Sequence, residues 1–203
     1  RTQRYLALGD SYTIGESVDV AERFPDRLAA LLREQGVGLA DPTIIARTGW
    51  TTDELQAGID QAAPAGRFDL VSLLIGVNNQ YRGRDAQEYR AQFRALLLRA
   101  IDFAGGEPGR VLVLSIPDWG VTPYAEGRDR ARIAAEIDRF NTINRQETAA
   151  AGAGYVDVTP VSRRAADDRS LIAADGLHPS GAQYLAWARL ALPAARAALA
   201  HGR

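Results

Sequence analysis

Ser11, Gly49, Asn78, Asp175 and His178 stand far apart in the chain, yet together they offer a hydroxyl, a glycine amide, a side-chain amide, a carboxylate and an imidazole. A serine hydroxyl is a weak nucleophile until a base takes its proton. Neutral imidazole suits that task near neutrality. It must present one ring nitrogen to the hydroxyl while the other donates to a fixed acceptor. Asp175 precedes His178 by three positions, so one short loop can set the carboxylate beside the ring. Each residue alone has a plainer reading. Gly9-Asp10-Ser11 is also a common strand-to-helix turn with Asp10 or Ser11 as cap. Gly49 could be a turn glycine, Asn78 and Asn79 loop residues, Asp175 a solvated carboxylate, and His178 a surface residue before a helix. His201, the other histidine, belongs to the closing residues and is expected to fray.

The elements around these residues favour the first reading. Five short apolar runs are expected to be strands: Tyr5-Leu8, Thr43-Ala46, Leu70-Ile75, Val111-Ile116 and Tyr155-Val158. Several are continuously apolar, as in strands buried on both faces. Between them lie helical stripes. They comprise Phe24, Leu28, Leu31 and Leu32; Tyr89, Phe93, Leu96, Leu97, Ala100 and Ile101; Ile133, Ile137 and Phe140; and Leu185, Ala188 and Leu192. Pro193 is expected to kink or end the last of these. A shorter helix is expected after Thr51, capped by Thr52 or Asp53. Gly105-Gly106-Glu107-Pro108-Gly109 reads as a tight helix-to-strand loop. Strands alternating with helices predict an α/β fold with a parallel sheet covered on both faces. Such sheets bind ligands beyond the carboxyl ends of their strands. Gly9-Asp10-Ser11, Gly49 and Asn78 follow three of the predicted strands. Asp175 and His178 precede the last helix. The plain readings would all have to hold at once for this convergence to mean nothing.

The ordered set resembles the SGNH, or GDSL-type, esterase and lipase family. Gly9-Asp10-Ser11 matches its first block, Gly49 the second, Asn78 the third, and Asp175-Gly176-Leu177-His178 the Asp-x-x-His block. The resemblance runs from Tyr5 into the closing helix. It implies a three-layer α/β/α sandwich around a mostly five-stranded parallel sheet, flavodoxin-like in form. It implies Ser11 as nucleophile, His178 as base and Asp175 as its orienting partner. It nominates the N–H groups of Ser11 and Gly49 and the Asn78 amide as the oxyanion hole, with no metal or cofactor. One departure is clear: the family commonly has Gly-x-Asn-Asp where this chain has Asn79 in the last place. The implied substrate is a small-molecule acyl ester of small or medium acyl group. Thioesters, lysophospholipids and acetylated carbohydrates remain within the same chemistry. A reading of another class is a non-catalytic domain binding an anion or carbohydrate. An anion held at the first strand-helix turn would need neither Asp175 nor His178. A redox module of flavodoxin type explains the loops less well. For the substrate pocket, Trp50, Trp119 and Tyr124 are the candidates, with Ile14 and Tyr81 behind them. Arg163 and Arg164 read as a solvated pair.

Composition sets the outer bounds. The chain has 203 residues, suited to a single domain over 1–203. With no cysteine there is no disulfide, thiolate metal site or cysteine nucleophile. Every basic residue is arginine, and the net charge of -1 points to no nucleic-acid partner. No apolar run has the roughly 18 residues of a membrane span. The first strand begins close to the first residue, which points to a cytoplasmic protein with a minimal leader. Oligomeric state is left open.

Overall fold

The computed structural model describes residues 1–200, so His201 lies outside the described residues. The five apolar runs form β1 (Tyr5–Gly9), β2 (Thr43–Ala46), β3 (Leu70–Leu74), β4 (Val111–Leu114) and β5 (Gly154–Val156). They build one parallel sheet in the order β2-β1-β3-β4-β5. Every residue of β1, β3 and β4 is buried, as the continuous apolar runs require of central strands covered on both faces. The edge strands β2 and β5 keep half-buried positions.

The helices are α1 (Ser11–Ile14), α2 (Phe24–Glu34), α3 (Thr52–Ala62), α4 (Val77–Tyr81), α5 (Ala86–Phe103), α6 (Arg130–Ala151), α7 (Thr159–Arg163) and α8 (Gly181–Ala200). The crossover from β1 to β2 runs through α2 in one direction across the sheet. The later crossovers, through α3, α5 and α6, run in the other. Right-handed connections therefore put α2 on one face and the other three on the opposite face. α8 returns to pack against α2, completing a three-layer α/β/α sandwich. Its Trp187 is fully buried, with ring contacts to Tyr12, Phe24 and Tyr184. A ring so placed contributes roughly 3–5 kcal/mol to stability.

Local expectations need three corrections. The cap of α3 is Thr51, one residue earlier than expected, and its N–H donates to Glu54 Oε1 at 3.3 Å. α8 runs unbroken through Pro193. The carbonyl deprived of its donor there is that of Arg189, and both residues are exposed, so water can serve it. The buried stripe of α8 is Tyr184, Trp187, Ala188, Ala191 and Ala195, whereas Leu185 and Leu192 are only half-buried at its flank. Alanines on this face let the helix come close, and the two aromatics fill the remaining volume. No helix among the described residues is long and apolar enough to cross a membrane.

Candidate active site

β1 ends at Gly9 and the chain turns at once into α1. Asp10 caps that helix, its Oδ1 accepting the Tyr12 N–H at 3.0 Å. Ser11 is thereby fixed at the first helical position, beyond the carboxyl end of a central strand. The loop before α8 brings His178 to it from the far end of the sequence. His178 Nε2 lies 3.0 Å from Ser11 Oγ, and His178 Nδ1 lies 2.5 Å from Asp175 Oδ2. The Tyr12 ring meets the imidazole edge-on at 5.8 Å, and Tyr184 of α8 braces Tyr12 through its carbonyl. Ser11 is 5% and His178 8% exposed, so the pair is largely shielded from solvent yet reachable.

Asp175 is held by more than the imidazole. Its Oδ1 accepts the N–H groups of Leu177 and His178, each at 2.9 Å. Its Oδ2 also accepts the Ser17 hydroxyl at 2.9 Å. Partial burial pushes the Asp175 carboxyl up. The donors from His178, Leu177 and Ser17 outweigh it and bring the group down to about 2. Asp175 thus stays ionised beside the ring, as an orienting carboxylate must. Ser17 makes its bond from a left-handed backbone, with φ of 67°. A residue with a side chain adopts that conformation at a cost. No sequence signal marked Ser17, because it lies far from Asp175 in the chain.

Gly49 follows β2 with φ of 89°. Its carbonyl accepts Arg82 Nη2 at 2.6 Å, which fixes the peptide, and Arg82 is itself paired with Glu54. Asn78 sits in α4, just past β3. Its Nδ2 donates to the Trp50 carbonyl at 2.9 Å, which commits one amide hydrogen and sets the plane of the other. The preceding Gly76 has φ of 134°, and a Cβ there would lie 2.7 Å from Tyr89 and 2.8 Å from Ile116. Only glycine lets the chain turn between those side chains to deliver Asn78. Asn79 faces away from the site. Fully buried, it accepts the Thr52 N–H on Oδ1 and donates to the Thr52 hydroxyl, tying α4 to the start of α3. In this chain the departure from Gly-x-Asn-Asp serves a helix-to-helix contact.

Ser11, Gly49, Asn78 and His178 line one cavity of about 160 Å³. Tyr81, Trp119 and Tyr124 form its aromatic side, and Tyr12, Thr48, Val77 and Leu177 complete it. Trp50 and Ile14 are not among the lining residues. The Trp50 ring packs back on α3 instead, in the space that Gly58 leaves by lacking a side chain. A larger hollow of about 450 Å³ lies at the opposite ends of the strands, around Gln3, Gly38, Asp69 and Leu199, and holds no nucleophile beside a base. Arg163 and Arg164 divide: Arg164 is exposed, whereas Arg163 bridges Asp118 and Asp138 and so ties down the loop carrying Trp119.

A hydroxyl, an imidazole and a carboxylate in series, at the carboxyl edge of a doubly wound sheet, form a constellation that several classes of α/β hydrolase share. The sequence model of the GDSL-like Lipase/Acylhydrolase family matches residues 7–186, and the chain belongs to that family as a carboxylic ester hydrolase. Solved structures share the fold at low identity. TesA has a TM-score of 0.73 at 18% identity, with 97% of this chain and 100% of that chain covered. The acetylxylan esterase Axe2 of Geobacillus stearothermophilus also gives 0.73, at 20% identity, covering 95% and 94%. A lipolytic protein of the G-D-S-L family from Veillonella parvula gives 0.71 at 17%, covering 95% and 97%. Comparison with curated protein sequences returns no match.

Proposed function

We propose that the protein is a serine hydrolase that cleaves carboxylic esters of small or medium acyl groups through an acyl-enzyme on Ser11. The observation that carries this reading is the 3.0 Å approach of His178 Nε2 to Ser11 Oγ, with Asp175 on the other ring nitrogen. Ser11 Oγ attacks the ester carbonyl carbon as His178 Nε2 takes its proton. The resulting oxyanion meets the N–H groups of Ser11 and Gly49 and the free amide hydrogen of Asn78. The Gly49 N–H has no acceptor among the described residues, so it is available for this bond. The tetrahedral adduct collapses, the C–O bond to the alcohol breaks, and His178 returns its proton to the leaving oxygen. Water then attacks the acyl-enzyme with His178 as base, releasing the acid and restoring Ser11. The ionised Asp175 stabilises the imidazolium formed in both halves.

The test is hydrolysis of a chromogenic short-chain ester by the wild type and by Ser11→Ala. The wild type turns over, and the variant loses a factor of about a thousand or more in kcat while melting normally. Ester cleavage that survives in Ser11→Ala would remove the acyl-enzyme.

A further inference from the structure

Tyr81 and Tyr124 come from different elements and meet at the rim of the reaction cavity. Their hydroxyls are 3.0 Å apart. Both rings lean on Trp119, with centroid separations of 5.4 and 6.0 Å. Trp119 itself is fixed: it is 4% exposed, and its Nε1 donates to Gln80 Oε1, while Gln80 donates to Glu136. The two tyrosines are not fixed in this way, being 46% and 44% exposed. What holds them is their mutual hydrogen bond and Arg128. The Arg128 guanidinium lies 5.3–5.4 Å from all three ring centroids, and its Nη2 approaches the Tyr81 hydroxyl at 3.3 Å. Arg128 has no carboxylate partner among the described residues, unlike Arg82 and Arg84 nearby. Its fixed partners are the rings.

Behind this group lies a second cleft of about 280 Å³, bordered by Ile133 and Gln80 and by the charged Arg128, Asp129, Arg132 and Glu136. Tyr81 and Trp119 border both hollows, so they are the wall between them. We infer that Tyr81, seated on Trp119 and held by Tyr124 and Arg128, is the partition that limits the acyl chain this site accepts. Removing it would join the two hollows and admit longer chains. The inference rests on the reading of Ser11 as the nucleophile of an ester hydrolase. An apolar cavity of about 150 Å³ accommodates one benzene-sized molecule. The ester carbon and its oxygens must occupy the part beside Ser11, which leaves room for an acyl chain of roughly four carbons. A longer chain has to go where Tyr81 now stands, over Trp119 and toward Ile133.

The experiment compares kcat/KM on nitrophenyl butanoate and octanoate for the wild type, Tyr81→Ala and Arg128→Met. Each protein is read as its own octanoate-to-butanoate ratio, so a general change in rate or folded fraction cancels. The wild type disfavours octanoate by about tenfold or more. Tyr81→Ala raises the ratio by at least about tenfold. Arg128→Met removes the brace but leaves the rings, and raises the ratio by a smaller factor. A ratio unmoved in both variants, or a wild type that already prefers octanoate, overturns the partition and leaves the esterase reading standing. Absence of any Ser11-dependent ester cleavage by the wild type removes both.

Discussion

At Asn78 one amide hydrogen is committed to the Trp50 carbonyl and the other is left for the cavity. That division makes the residue a pre-aimed donor, since the amide cannot rotate without breaking a bond it already has. Asn78→Ala should therefore lose on the order of a hundredfold in turnover, with the melting temperature little changed because the side chain is only half-buried. Steady-state kinetics beside a thermal melt checks both halves. Asp10 presents the opposite case, a carboxylate with too few donors. It is fully buried, its Oδ2 has no hydrogen-bond partner, and burial pushes the group up to about 7 despite the Tyr12 N–H. An unfolded aspartate titrates near 3.9. Between about pH 4 and 7 the native state then holds a proton that the unfolded chain has lost, so stability falls as pH rises through this window. Asp10→Asn keeps the capping oxygen and removes the ionisation. Its stability relative to the wild type should rise from pH 4 to 7 and level off above, as followed by urea denaturation. A difference independent of pH would show that Asp10 is ionised throughout. The cap was legible in Gly9-Asp10-Ser11, but the raised carboxyl was not, because burial and orphaned oxygens are properties of the neighbours.

Elements, by contrast, were largely legible. A central parallel strand must be apolar on both faces, so its position can be read from an uninterrupted run such as Val111-Leu114, although the expected strand ran two residues further, to Ile116. Because ligands gather where such strands end, the same reading put Ser11, Gly49 and Asn78 at one edge of the sheet, and there they line one cavity. What escaped was whatever depended on a partner from another element. The Trp50 ring turns away from the cavity because Gly58, nearly two helix turns into α3, leaves it a place. The α3 cap slipped by one residue because Thr51, Thr52 and Asp53 are all fair caps alone. Thr52 is engaged instead by Asn79 of α4. The junction matters for the site, since Thr51 directly follows the Gly49-Trp50 turn. Thr51→Ala should cost about 1 kcal/mol. In a chain of this length that lowers the melting temperature by roughly 2–4 °C, readable by calorimetry.

On the scale of the molecule, the sheet order β2-β1-β3-β4-β5 explains how residues so distant in sequence share one cavity. β1, β2 and β3 are neighbours, and their loops deliver Ser11, Gly49 and Asn78 side by side. The β4 loop adds Trp119, and the segment before α8 closes over them with Asp175 and His178. The closing segment is fastened to the β4 loop, Tyr124 N–H donating to the Gly176 carbonyl at 3.1 Å. It is fastened to the loop after α1 only through Ser17 Oγ and Asp175 Oδ2 among the described hydrogen bonds and ion pairs. Stability and turnover make different demands at Ser17. Its left-handed backbone costs a residue with a Cβ about 1–2 kcal/mol, which glycine avoids. Ser17→Gly and Ser17→Ala both lose the hydroxyl and should slow turnover alike. Ser17→Ala keeps the strain as well and should melt lower than Ser17→Gly. Unequal rates in the two, or equal melts, would detach the hydroxyl from the triad or the strain from the backbone. In directed evolution the position then becomes a fork. Selection for survival on heating would drift toward glycine, while selection for growth on an ester as carbon source would hold serine.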